Sequence, residues 1–173
     1  NKIILETKHR IFDKRYIADL YIRGYDEIRI NYSDESVLEE IKKMMDLPTF
    51  EITEENETYC VIKDISSVKE EEFDTMLRKC FLLAKEMSKE LVSYFNGAKV
   101  ELKELRKLES ENTKASVFCL RILNKHGYSP AHKTTFLYVI ARELEAICDV
   151  YKYIIDDILE GYEVDEEEKE YFS

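Results

Sequence analysis

Apolar residues recur at alternating intervals of three and four along three stretches of the chain. The first is Phe73, Leu77, Cys80, Ala84, Met87, Leu91 and Tyr94. The second is Leu105, Leu108, Asn112, Ala115, Cys119 and Ile122, with one polar member. The third is Leu137, Ile140, Leu144, Ile147, Tyr151, Ile154 and Ile158. A mean spacing of 3.5 keeps one stripe of a helix against its neighbours along its whole length, whereas a strand alternates with period two. Each stretch suits roughly 40 Å of helix at about 1.5 Å per residue. The pattern predicts three long helices over residues 68–160.

Punctuation limits these helices. Ser67-Val68-Lys69-Glu70 is a capping box for the first, and Asn96-Gly97 ends it. Asn124 to Gly127 closes the second, and Ser129-Pro130 offers a cap followed by proline at the first helical position. With loops this short, neighbouring helices must run antiparallel.

The first 67 residues are patterned differently. Ile3-Ile4-Leu5 is a short apolar start. Residues 10–22 read as a helix stopped by Gly24, and residues 26–32 alternate as a strand. Ser36-Val37-Leu38-Glu39 is a second capping box, opening a short helix that ends before Pro48. Residues 50–54 and 58–65 form a hairpin turning around Glu55-Asn56-Glu57. The expectation is an α+β chain: a small α/β layer over residues 1–67, an antiparallel three-helix bundle over 68–160, and an acidic tail or linker over 161–173. A layer of that size is marginal alone and should pack on something.

Composition narrows the function classes. The chain has 173 residues and a formal charge of −11, with 36% charged and 45% hydrophobic residues. Residues 1–67 carry −5, residues 68–155 carry +2 and residues 156–173 carry −8, so phosphate-backbone binding by this chain alone is disfavoured. No apolar run approaches the roughly 18 residues of a membrane span, which argues against membrane insertion. Cys60, Cys80, Cys119 and Cys148 are far apart and form no C-x-x-C pair, so reduced thiols in a cytoplasmic setting are expected. The chain opens on Asn rather than Met, as an excised fragment would.

Chemistry-bearing groups are few. Glu145 and Asp149 lie four apart on the third long helix, beside its stripe, where two carboxylates share a face and can converge on a cation. Plain solvated carboxylates are the commoner reading of such a pair. Glu6-Thr7-Lys8-His9 lies outside the bundle, and His126 and His132 flank a loop as helix-end residues. Tyr138, Tyr151 and Tyr153 suit packing at the core edge. Asn112 within the second stripe suits a register-fixing buried amide or an exposed position equally. With no Gly-rich phosphate loop and no nucleophile motif, the chain reads as a non-enzyme.

The segment Leu144-Glu145-Ala146-Ile147-Cys148-Asp149 resembles the leucine-Glu-x-x-x-Asp signature on the third helix of the PhoU family of phosphate-signalling regulators. The stretch from Leu108-Glu109 through Thr113 and Arg121 to Asn124 is similar to the second-helix segment of archaeal members. Arg15 to Ile28 and the following helix and hairpin look like the segment preceding the first repeat in archaeal regulators, which usually begin with an AbrB/SpoVT-type DNA-binding domain. The resemblance implies one PhoU-like repeat, metal ligation (iron, zinc or manganese) by Glu145, Asp149 and Glu109, and control of phosphate uptake through contact with transporter or sensor components. Thr113 departs from the family's Asp and removes one anionic ligand. The family has six helices where three are seen here, so a homodimer or a longer parent chain would complete the layout. Two other readings stay open: a dimerisation and effector module for a DNA-binding domain absent here, and a helical-bundle metal-binding protein or carboxylate metalloenzyme.

Overall fold

A computed structural model describes residues 1–7, 14–34, 36–65 and 71–162. The fold is α+β: a small four-stranded sheet with two short helices, followed by three long helices. The chain runs β1 (Lys2–Thr7), α1 (Lys14–Ile22), β2 (Glu27–Tyr32), α2 (Ser36–Met44), β3 (Phe50–Glu55), β4 (Tyr59–Asp64), α3 (Glu71–Phe95), α4 (Leu102–His126) and α5 (Thr134–Leu159). The capping box at Ser67–Glu70, the start of the predicted first helix, His9 and most of the acidic tail fall outside the described residues.

The sheet order is β1-β2-β4-β3. Ile3-Ile4-Leu5 belongs to a full strand that the sequence pattern does not announce, because only three apolar residues mark it. Strand β1 pairs parallel to β2, with Ile3 beside Ile28 and Leu5 beside Ile30, so α1 is the crossover of a βαβ unit. Strands β2 and β4 pair antiparallel, as do β3 and β4. The predicted hairpin is present, and Asn56 builds its turn: Oδ1 accepts the backbone N–H of Thr58 at 2.8 Å and of Tyr59 at 3.0 Å. One sheet face carries Ile28, Ile30, Tyr32, Cys60 and Ile62 into a core shared with Ile17, Leu20 and Tyr21 of α1 and Val37, Leu38 and Ile41 of α2. Helix α2 begins at Ser36 as expected, but Asp34 supplies the cap: its Oδ1 accepts the Ser36 N–H at 2.9 Å.

The bundle helices are 25, 25 and 26 residues long. The predicted stripes of α3 and α4 face the core: Phe73, Cys80, Ala84, Met87 and Leu91 are buried, as are Leu105, Asn112, Ala115, Cys119 and Ile122. The stripe of α5 is displaced. Ile140 and Ile147 remain 38% and 42% exposed, whereas Ala141, Leu144, Cys148 and Ile155 are buried. Small Ala141 and Cys148 allow close approach of α4 and α5; the Ser116 hydroxyl donates to the Ala141 carbonyl at 2.9 Å across that contact. Helix α5 also starts later than the sequence suggests. The Ser129-Pro130 peptide is cis, residues 131–133 make one 3-10 turn, and the helix begins at Thr134.

The two parts share α4. Every residue from Ala115 to Leu123 is buried, the mark of a helix covered on both sides. One side faces α3 and α5; the other faces α1 and contributes Val117 to the core of the α/β layer.

Candidate functional site

The three sequence-predicted ligands come from α4 and α5, and they do not sit alike. Glu109 is buried, 9% exposed, and Glu145 and Asp149 are half-buried. The α5 carboxylates lie next to Leu144 and Cys148, which belong to the bundle core. Glu109 is a finding: its helix position lies one step beyond Leu108, yet packing of α5 over α4 covers it.

A side chain not singled out in the sequence joins these carboxylates. Lys152, one turn beyond Asp149, donates to Glu109 Oε1 at 3.1 Å and to Asp149 Oδ1 at 2.5 Å. The same ammonium lies 5.0 Å from the Tyr153 ring. Burial alone would lower the Lys152 pKa, but the hydrogen bonds to both carboxylates outweigh it and hold the pKa above its ordinary value. Thr113, standing where the family has Asp, donates its hydroxyl to Glu109 Oε1 at 3.2 Å. Glu145 takes no part in the Lys152 bridge. Burial, then repulsion from Asp149, pushes its pKa up.

These groups present hard oxygen donors, the set that suits manganese, iron or magnesium. Glu109 and Asp149 already converge on one cationic position, and Lys152 fills it. Among the described residues no group of three or more His, Cys, Asp or Glu is arranged to hold a metal ion. The residues fit a metal only with Lys152 swung away. Cys148 beneath them adds no ready thiolate, since burial pushes its pKa up to about 12.

Asn112 is fully buried, one of the two readings its position allowed. Its Nδ2 donates to the Cys80 carbonyl at 3.0 Å, tying α4 to α3, while Oδ1 has no partner. Ser116, Glu109 and Arg121 are also buried polar residues, so α4 carries more internal polarity than its stripe indicates.

Arg121 is the largest of these. It is 2% exposed and reaches from α4 into the α/β layer. Nη1 donates to the Tyr21 carbonyl at 2.6 Å, and Nη2 donates to Asp64 Oδ2 at 2.6 Å and Asp26 Oδ1 at 3.2 Å. The guanidinium carbon lies 4.7 Å from the Tyr21 ring centroid and 5.1 Å from that of Phe50. Lys125, one turn on, pairs with Asp26, and Asn124 Nδ2 donates to the Ile22 carbonyl at 2.8 Å. Burial raises the Asp26 pKa, but the hydrogen bond and charge of Lys125 act against it and help bring it below the ordinary value. The sequence signal for this cluster is the arginine that interrupts an apolar run, Val117-Phe118-Cys119-Leu120-Arg121-Ile122-Leu123. A charge there needs a partner on whatever covers the second side of the helix.

No family model, curated protein or solved structure matches the chain. No helix among the described residues is long and apolar enough to cross a membrane.

Proposed function

We propose that this chain is a PhoU-like regulator of phosphate uptake that works by protein–protein contact, as a homodimer, on transporter or sensor components. The observation that carries the reading is the co-location of its family-like residues: Glu145 and Asp149 of α5 lie beside Glu109 of α4, on one side of an up-down-up helical layer. The resemblance assigns ligands to these same two helices, and iron, zinc or manganese is the cation class it implies.

The substitutions at the site modify that role. Thr113 replaces one anionic ligand and Lys152 bridges two others, offsetting one of their two charges, so the cluster carries its own cation. Such a surface suits docking without metal, with the carboxylates set by internal pairing. A divalent ion enters only in exchange for the Lys152 ammonium.

The test is deletion of the gene from its parent organism, with uptake of radiolabelled phosphate measured in phosphate-replete medium. Uptake is expected to rise several-fold and to return to normal when the gene is restored. Unchanged uptake overturns the reading.

A further inference from the structure

Helix α5 has a second apolar face, turned away from the bundle. Phe136, Val139, Val150 and Tyr153 are 70%, 51%, 55% and 58% exposed, and Glu143 and Ala146 lie between them and are exposed as well. These six positions are spaced 3, 4, 3, 4, 3, and outside the central Glu143 and Ala146 their order is symmetric: aromatic, valine, the central two, valine, aromatic. Two copies of a helix packed antiparallel about a two-fold axis bring each residue against the one at its mirror position in the partner, so this sequence sets like sizes against each other at the outer four places.

We infer that a second copy of this chain covers this face, with α5 packed antiparallel against α5 of the partner about an axis between Glu143 and Ala146. In that register Phe136 meets the partner's Tyr153, and Val139 meets the partner's Val150. Glu143 falls opposite the partner's Ala146, whose methyl group leaves room for the carboxylate to turn outward to the rim. Exposed Ile140 and Ile147 flank the seam on the same side of the helix.

Charge and area agree with this occupant. His132 and Lys133, in the turn before the helix, come against the partner's Asp157 and the partner's Asp156, the latter also held by Arg106 of its own chain, and the two-fold axis repeats this contact. An aromatic side chain carries about 150–250 Å². On that scale Phe136 and Tyr153 leave on the order of 250 Å² in water, and the aliphatic members bring the face to about 600 Å², the top of what monomers expose. Pairing covers it on both copies, about 1,200 Å² of apolar surface before the polar rim is added, which reaches the range of stable interfaces. The inference does not rest on the phosphate reading; it shares with it only the expectation of a dimer.

Light scattering on the full chain, coupled to size exclusion at 10–500 μM (roughly the range where weak dimers resolve), tests it. The expected mass is twice 20.6 kDa. Val139→Lys and Val150→Glu, both at exposed positions that leave the fold intact by circular dichroism, each weaken dimerisation at least tenfold. Combined on one chain they restore it, because the lysine of one copy then faces the glutamate of the other at two symmetric places. A wild-type monomer throughout the range overturns the inference, as does a dimer indifferent to both single changes. Single changes that disrupt while the double fails to restore overturn the antiparallel register. A chain that dimerises only after removal of residues 163–173 also overturns it, and gives the face to the chain's own tail.

Discussion

At the scale of single residues, the α4–α5 cluster separates two carboxylates that the sequence presents as a pair. Asp149 is held by Lys152, whereas at Glu145 burial and the negative charge of Asp149 outweigh the attraction of Arg142 and Lys152. Its pKa is therefore higher in the folded chain than in the unfolded one, so the native state binds the proton more tightly and stability falls as pH rises through that interval. Glu145→Gln removes the penalty. The variant should match the wild type in acid, below the ordinary Glu value, and be more stable at neutral pH by about 0.5 kcal/mol, a small figure because solvent screens a half-exposed group. Urea melts at both pH values measure this; a variant less stable at neutral pH would show that Glu145 is held by a favourable partner. That Glu145 and Asp149 share a face was legible from their spacing. That Lys152 chooses Asp149 and Glu109 was not, since Glu109 lies 43 residues away along the chain and meets Lys152 only through packing.

At the scale of elements, what could be read depended on which member of each apolar group the packing selects. Helices α3 and α4 carry adjacent apolar residues, such as Met76-Leu77 and Phe81-Leu82-Leu83 in α3 and Val117 to Leu120 in α4, yet the positions picked by spacing include buried ones along both helices. Helix α5 carries adjacent pairs, Ile140-Ala141, Ile147-Cys148 and Ile154-Ile155. Choosing the larger side chain gives the wrong phase at Ile140 and Ile147, because close helix contact selects small Ala141 and Cys148 for the core. The surplus isoleucines then flank the outer seam. Strand β1 escaped notice for a related reason: its inward residues Ile3 and Leu5 are too few to register a period. Element ends were clearer. Helix α1 stops at Gly24, whose φ of +84° a side chain resists, and a Cβ there would lie 2.6 Å from Lys125 Cγ. Gly24→Ala is expected to cost about 1–2 kcal/mol through the left-handed backbone, and further through displacement of Lys125 from Asp26. Gly97→Ala is the control, with the same φ of +84° and open space around it. Equal losses in the two variants would show that the Lys125 contact contributes nothing.

At the scale of the whole molecule, α4 decides whether the chain behaves as one body or two. The sequence separates an α/β layer from a bundle by their periodicities, and the described strands and short helices precede residues 66–70 while the long helices follow them. Yet Val117 completes the α/β core, and Arg121 is neutralised by Asp64 and Asp26 from that layer. Both parts should therefore unfold together, with helix content and tyrosine environment changing at one urea midpoint. Arg121→Ala takes the 2.6 Å guanidinium partner from the nearly buried carboxylate of Asp64, with the Lys125 ammonium 3.8 Å away. Losing one partner of a buried pair costs about 3–5 kcal/mol. The penalty falls on the joint, since the broken bonds all run from α4 to the α/β layer. The small layer then loses its packing partner, and a domain of its size is marginal alone. The variant should show two separated transitions, the sheet melting at lower urea while the helical signal persists. Pairing Arg121→Met with Asp64→Asn removes the charge from both sides and should recover much of the loss. A single, uniformly shifted transition in Arg121→Ala would place the cooperativity in the apolar contact around Val117 instead of in the ion cluster.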